Sequence, residues 1–420
     1  MTTPGATWAR THLFGAQDLI EATTVDEVVA ALQTAGPVRA LGTRHSFNDL
    51  ADTSGTLVSV TGIPMDAVLD ETRREVTVGG GTRYGVLARW LEDRGWALHN
   101  LGSLPHISIA GAIATGTHGS GHGNGNLATA VRALELVDAT GALVRVGQDD
   151  PDFAAIVVGL GAVGIVTRVT LAIEPSYRMR QDVYAGLTWD TFLADTDAVT
   201  GSAYSVSVFT TWDGDIVGDV WRKSRLDADP ERADPDLPAE WFGARWQDAT
   251  RELVGSTENL TTQLGTPGAW ADRLTHFRLD SVPSNGDEIQ SEYFIARADA
   301  RPALEAVRAL SSRVTPHLMV TELRTIAADQ LWLSGAYERD ALAIHFTWLN
   351  HPDAVRELLP EIERVLAPFD PRPHWGKWHS MDRSLIERTV PRLADARAVF
   401  ERRDPEGRFA NAHLRALGVR

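Results

Sequence analysis

The stretch from Asn100 to Asn126, NLGSLPHISIAGAIATGTHGSGHGNGN, limits the fold of this chain more than any other. It holds seven glycines among Ser, Thr, His and small apolar residues, and no Lys, Arg, Asp or Glu. A run so poor in side chains builds no core of its own. It does present a dense row of backbone N–H groups and hydroxyls, which suits an anion or a large polar ligand. A flexible surface loop is the plainer reading. Against it, Ile107, Ile109, Ile113 and several Ala residues punctuate the run as they would in buried backbone.

The segments around this run alternate in character. TTVDEVVAALQTAGPVRALG reads as a helix with Thr24 as N-cap and Glu27 three residues on, stopped at Gly36-Pro37 and followed by a strand from Val38 to Leu41. TLVSVTGI and REVTVGGG are β-branched runs bounded by Gly, and TRYGVLARWLEDRG is an amphipathic helix ending at Gly95. RALELVDATGALVRVG reads as a hairpin turning at Asp138–Gly141, and GIVTRVTLAIEP as a strand closed by Pro175. Beyond it come aromatic strands (AYSVSVFTTW, SEYFIAR, ALAIHFTW) mixed with helices (ADARPALEAVRALSSRV, PDAVRELLPEIERVLAPF). The acidic, Pro-rich stretch 225–240 reads as an exposed loop. This pattern gives an α+β fold. At 420 residues the chain is too long for one simple core, so two or three domains are expected.

Composition narrows the function classes. With 40 Lys plus Arg against 56 Asp plus Glu, the net charge is −16, which argues against nucleic acid or an anionic membrane as partner. There is no cysteine, hence no disulfide, Fe–S cluster, thiolate nucleophile or cysteinyl link to a cofactor. No secretory leader pattern and no run of eighteen apolar residues is present, which gives a cytoplasmic protein as the expectation. No association segment is evident, so a monomer is expected. The 13 Trp suit either the core or a pocket.

Gly159-Leu-Gly161-Ala-Val-Gly164 matches the G-x-G-x-x-G pattern of dinucleotide sites. That site needs a helix opening at the last glycine, so that its N-terminus meets pyrophosphate. Here an alternating β-branched run follows, so the glycines are expected to make a tight helix-to-strand turn. The stretch RALGTRHSFND, Arg39 to Asp49, poses a different question. His45 at its centre is a turn residue, a ligand or a reactive group. No second His or acid stands near it at metal-ligand spacing, and no metal is expected.

Together, RALGTRHSFN, GSLPHISIAGAIATGTHGSG, GLGAVGIVTRVTL and the late PHWGK resemble the vanillyl-alcohol-oxidase-type flavoproteins, and among them the alditol oxidases. The resemblance runs through nearly the whole chain in the same order. Sugar-lactone oxidases and dehydrogenases share the His-Trp-Gly-Lys element. The resemblance implies a two-subdomain FAD-binding domain with an α+β cap: residues 1–175 in the FAD-binding part, 176–377 in the substrate domain, and 378–420 returning to the first. It also implies FAD joined covalently to His45, as the only link in a chain without cysteine. Ala40, Leu41, Gly42, Thr43, Arg44, His45, Ser46, Ser103, Ser108, Gly111, Thr115, Gly116, Thr117, His118, Val166 and His374 would line the cofactor.

The substrate face rests on two polar pairs. Glu322 and Arg324 in LMVTELRTIA, and His345 and Thr347 in LAIHFTWL, each share one face of a strand. Such pairs line a pocket or belong to a half-exposed sheet, and the sequence leaves both open. The resemblance makes them cap strands facing the flavin, with Ser103 and Lys377 completing the contacts. Glu322 and Arg324 would grip vicinal hydroxyls, Lys377 would supply a cation, and His345 is a candidate proton acceptor. The implied activity is oxidation of the terminal hydroxyl of xylitol- or sorbitol-like polyols to the aldose, with O2 reduced to H2O2. An aldonolactone oxidase or dehydrogenase of the same fold is the alternative. Gly102, before Ser103, leaves room for dioxygen and favours the oxidase. The preferred polyol and the linking nitrogen of His45 are not legible.

Overall fold

The computed structural model describes residues 4–226, 234–236, 238–281 and 286–420. Half of the acidic stretch 225–240, read from sequence as a loop, lies outside the described residues, namely 227–233 and 237. The helix Val25–Leu32 starts as its sequence dictates: the Thr24 side chain accepts the Glu27 N–H, and the Glu27 carboxylate accepts from the Thr23 and Thr24 backbone. It ends sooner than expected, at a Gln33 cap. Gly36, with φ of 106°, and Pro37 shape the entry to the strand Val38–Leu41 instead of stopping the helix. The segment 298–314 also departs from expectation. It forms a helix over Ala300–Arg308 and a separate short helix over Ser311–Val314.

Among the described residues the strands form four sheets. Asp18–Glu21, Thr56–Ser59 and Val38–Leu41 make a small parallel sheet in that order. Val68–Asp70, Glu75–Gly79, Ile165–Ala172, Val131–Val137 and Leu143–Gly147 make an antiparallel sheet of five. Its hairpin turns where Asp138 Oδ1 accepts the Thr140 N–H at 2.8 Å and the Thr140 hydroxyl at 2.6 Å, an Asx turn. A two-stranded ribbon pairs Glu174–Pro175 with Trp96–Ala97.

The largest sheet has ten strands. Its middle runs Arg178–Thr188, Ile216–Arg225, Ser205–Thr210, Leu318–Ile326, Ala341–Leu349 and Glu288–Ala296, all antiparallel. Register decides what this sheet can do. Glu322 pairs across with His345, and His345 pairs with Glu292 on the next strand. Because side chains alternate between faces, directly opposed residues share a face, and three titratable groups stand in one row. The other face is apolar and aromatic. Trp189 stacks on Trp212, Trp212 on Phe346, and Phe346 on Trp348, with centroids 5.0–6.1 Å apart. These tryptophans serve the core, leaving Trp8 as the indole on the cavity wall among the described residues. No helix among the described residues is long and apolar enough to cross a membrane.

Candidate active site

Three segments far apart in sequence meet as one wall. The Thr43 hydroxyl accepts the Ser108 N–H at 3.0 Å, joining the first loop to the glycine-rich run. Phe47 N–H donates to the Gly376 carbonyl at 2.7 Å, and Asn48 Nδ2 donates to the Trp375 and Lys377 carbonyls, joining the first loop to PHWGK. Gly42 suits this closeness, since a Cβ there would force the Ser108 hydroxyl to turn aside. The glycine-rich run is ordered backbone. It forms a helix over Ile109–Ala114 and then pairs Gly121 N–H with the Thr325 carbonyl of the large sheet at 2.9 Å. Gly159–Gly164 turns from the helix Phe153–Ile156 into the strand Ile165–Ala172, as expected, and no helix opens there. At Gly164 a Cβ would stand 2.7 Å from the Val137 carbonyl, so the strand before it approaches too closely for a side chain. Arg39 fastens this turn by donating to the carbonyls of Leu160, Gly161, Leu50 and Phe409.

These walls and the large sheet enclose a cavity of about 1220 Å³. Ala40, Leu41, Gly42, Thr43, Arg44, His45, Ser46, Ser103, Ser108, Gly111, Thr115, Thr117, His118, Val166 and His374 all line it, as do Glu322, Arg324, His345, Thr347 and Lys377. Gly116 does not. It occupies the left-handed turn after the helix Ile109–Ala114, with φ of 66°, and is buried behind the wall. The Arg44 guanidinium also turns aside, to the Pro4 carbonyl and the Phe14 ring.

A carboxylate absent from the sequence reading sits at the centre of the polar end. Glu292 is fully buried. Its Oε1 accepts from Arg324 Nη2 at 2.9 Å and from His118 Nε2 at 3.1 Å, and its Oε2 from Lys377 Nζ at 2.6 Å. Arg324 also reaches Ser103 Oγ at 3.3 Å. Lys377 Nζ lies 2.6 Å from His345 Nδ1, and His345 Nε2 lies 3.0 Å from Thr347 Oγ1. Glu322 accepts at Oε1 from His276 Nε2 at 2.7 Å, with Arg324 Nε 3.6 Å from its Oε2. The signal for Glu292 was available. Gln290 and Glu292 are a third polar pair two residues apart on a strand, by the same rule that singled out Glu322 and Arg324. No such signal marks His276, which lies outside any strand.

The charges of this cluster follow from burial set against pairing. Burial alone would raise both carboxyls. Lys377, His118 and Arg324 hold Glu292 well below the usual carboxylate range, and Arg324 and His276 do the same for Glu322. Burial opposes the Arg324 charge, and Glu322 and Glu292 more than restore it. Burial lowers Lys377, against the pull of Glu292. Burial, helped by Lys377, brings His345 down to about 4, so its ring is neutral. His276 falls to about 4 and His379 to about 3, each mainly through burial.

These histidines set a pH dependence of stability. A histidine whose folded pKa lies below its unfolded value of about 6.5 binds a proton more readily when the chain unfolds. Stability is therefore full above pH ~6.5 and falls as pH drops toward the folded values near 4 and 3. Each such group contributes a slope of about 1.4 kcal/mol per pH unit inside that window. Urea unfolding at pH 7.5 and pH 5.0 checks this: the midpoint is expected to fall markedly at pH 5.0, and an unchanged midpoint would contradict neutral buried histidines.

The residues present suit FAD. His45 stacks on Trp8 with ring centroids 5.3 Å apart, and its half-buried ring faces the cavity. Its Nδ1 is shielded and has no aligned hydrogen-bond partner among the described residues. Burial, with His106 and Arg83 nearby, lowers its pKa to about 4, leaving an uncharged imidazole beside a wall of Gly42, Ser108 and Gly111. No group of three metal-ligating side chains occurs among the described residues.

Comparisons with known proteins bear on the same walls. The family model described as FAD binding domain matches residues 16–147, and that described as D-arabinono-1,4-lactone oxidase matches residues 283–417. The chain is 41% identical to the alditol oxidase of a Streptomyces species, over 99% of both chains. It is 28% identical to the L-gulono-1,4-lactone dehydrogenase of Mycobacterium tuberculosis over 94% of both, and 26% identical to the L-gulonolactone oxidase of Bos taurus over 97% of this chain and 96% of the other. Among solved structures, a solvent-stable cholesterol oxidase superposes with a TM-score of 0.76 at 17% identity, covering 99% of this chain and 97% of the other, which places the fold.

Proposed function

Because the chain belongs to the alditol oxidase family of FAD-dependent oxidases, we propose that it oxidises the terminal primary hydroxyl of alditols such as xylitol and sorbitol to the aldose, with O2 reduced to H2O2. Bound FAD supplies the hydride acceptor, N5 of its ring. The observation that carries the reading is the polar row at one end of a glycine-walled cavity, Glu322, Arg324, His345, Thr347 and Lys377, with hydroxyl-sized donors and acceptors on one face. A lactone carries fewer hydroxyls to satisfy such a row.

In this reading Glu322 accepts from substrate hydroxyls, and Arg324 and Ser103 bind the neighbouring oxygens. The reacting hydroxyl gives its proton to His345. The ring is neutral, and Lys377 at 2.6 Å from Nδ1 completes a relay. The relay runs from the amine form of Lys377, which burial brings within reach of the resting ammonium: Nδ1–H then donates to Nζ and Nε2 is the accepting nitrogen, reached when the substrate oxygen takes the place of Thr347. The relayed proton leaves Lys377 as ammonium against Glu292 at 2.6 Å, where its charge is compensated. Lys377 and Arg324 also offset negative charge gained by the ring system when hydride arrives.

Attachment of FAD through His45 belongs to the same proposal. An uncharged imidazole facing the cavity is a competent nucleophile, and the chain has no cysteine for a second link. A Cβ on Gly102 would sit in ordinary contact with Ile107, Thr117 and the His118 carbonyl at 3.6–3.7 Å, so the glycine leaves a methyl-sized space beside Ser103 where dioxygen can approach. The proposed organisation is an FAD-binding part from 1–175 and 378–420 and a substrate part from 176–377, with alditol and O2 as the small-molecule partners. Peroxide release tests the reaction. Xylitol is expected to give steady H2O2, and L-gulono-1,4-lactone little; peroxide from the lactone alone would assign the lactone reaction instead.

A further inference from the structure

Behind Glu322 lies a second buried cation that no step above uses. Lys223 sits in the strand Ile216–Arg225, two strands from Glu322 in the sheet, and is 1% exposed. Its Nζ lies 2.5 Å from the Leu274 carbonyl, 2.9 Å from the Thr275 carbonyl and 3.0 Å from His276 Nδ1. An ammonium has three N–H donors, and here each has an acceptor. His276 Nδ1 is then a lone-pair acceptor, and the ring hydrogen must sit on Nε2. That nitrogen is 2.7 Å from Glu322 Oε1. The order of donors is thereby set from Lys223 through His276 to the carboxylate.

The surroundings keep this order. Phe209 and Trp221 pack edge-on against the imidazole, with centroids 5.6 and 5.3 Å away, and hold its plane. The His276 N–H donates to the Ser103 carbonyl at 3.0 Å, so the same residue also anchors Ser103. The charged and titratable groups facing the relay are Arg324 and His345 beside Glu322, and Arg273 beside Lys223. Lys223 does not line the cavity, whereas His276 does.

We propose that Lys223 and His276 are positioning residues that lock the imidazole as its Nε2–H form and so keep Glu322 a hydroxyl acceptor of fixed orientation. The proposal rests on the reading of Glu322 as a substrate contact. A carboxylate that already receives one N–H turns its remaining lone pairs toward the cavity, where it accepts and cannot donate. An imidazolium in its place would draw the carboxylate into an ion pair and weaken it toward substrate. Burial is the larger part of what prevents that, and the charge of Lys223 adds to it, the two bringing His276 down to about 4; burial brings Lys223 itself to about 7.

Three variants of the holoenzyme test this, each checked for bound flavin by its visible spectrum. His276→Phe keeps the bulk and removes the donor, and is expected to raise KM for xylitol about tenfold or more with a smaller change in kcat. His276→Gln places an amide N–H where Nε2 stood and is expected to recover most of that loss. Lys223→Met keeps length and removes charge. Nitrogen-15 NMR of ring-labelled histidine then reads the tautomer directly. In the parent protein His276 is expected as Nε2–H, unchanged from pH 5 to pH 7, whereas in Lys223→Met it takes up a proton within that range. A ring carrying its hydrogen on Nδ1, or one titrating alike in both proteins, overturns the relay. So does a His276→Gln as impaired as His276→Phe, which would mark a packing role. The NMR readout needs no substrate. The expected tautomer combined with a KM unmoved in every variant overturns the substrate contact of Glu322, and with it the effect assigned to the relay.

Discussion

Glu322→Gln is expected to lower kcat/KM for xylitol by roughly a hundredfold or more, with the flavin still bound. The substitution keeps the volume of a buried side chain and removes its charge, so packing is little disturbed. Gln retains an acceptor oxygen, but its NH2 must face either His276 Nε2–H or the substrate. One orientation sets two donors against each other 2.7 Å apart, and the other presents a donor to a hydroxyl that needed an acceptor. Arg324 also loses an anion beside it, which leaves a buried cation compensated by Glu292 alone among its near carboxylates. A loss of about 3 kcal/mol in transition-state binding corresponds to the stated drop. Steady-state peroxide release with flavin content measured in parallel checks it. Turnover equal to the parent protein would remove Glu322 from the site.

His45→Ala is expected to release the colour. Acid precipitation of the parent protein should leave the pellet yellow, because a carbon–nitrogen bond survives unfolding. The variant pellet should be white and its supernatant yellow. Removing the ring also opens space beside Trp8, so flavin in the native variant is held by the remaining wall alone. Yellow supernatant from the parent protein would exclude the covalent link while leaving the binding site intact. A yellow pellet from His45→Ala would place the link on another residue.

What could be read in the sequence follows from where local chemistry dominates. The capping box at Thr24, the hairpin at Asp138 and the strand after Gly164 all depend on residues within a few positions, and the structure repeats them. The polar pairs were visible because charge on an apolar strand is costly without a partner. Glu292 follows the same rule but is followed by Tyr293 and Phe294, and the aromatic character of SEYFIAR masked it. Lys223 was out of reach for another reason. Nothing local in WRKSR signals burial, yet Arg222, Lys223, Ser224 and Arg225 are all buried, because their strand lies inside the large sheet with carbonyls and carboxylates from elsewhere around it. Only tertiary pairing supplies those partners. Gly116 is a finer case: the motif groups it with the cofactor wall, and its left-handed turn leaves it buried between Thr115 and Thr117, which line the cavity.

Anaerobic addition of xylitol to the oxidised holoprotein tests the central claim most directly. Transfer of hydride from the terminal carbon empties the visible flavin band without any need for oxygen, so the readout isolates the reductive half of the reaction. Rapid and complete bleaching by xylitol, slow or absent bleaching by L-gulono-1,4-lactone, and recovery of the band with one H2O2 per flavin on admitting air is the expected result. A band that xylitol and sorbitol leave unchanged, while the lactone bleaches it, would contradict the account.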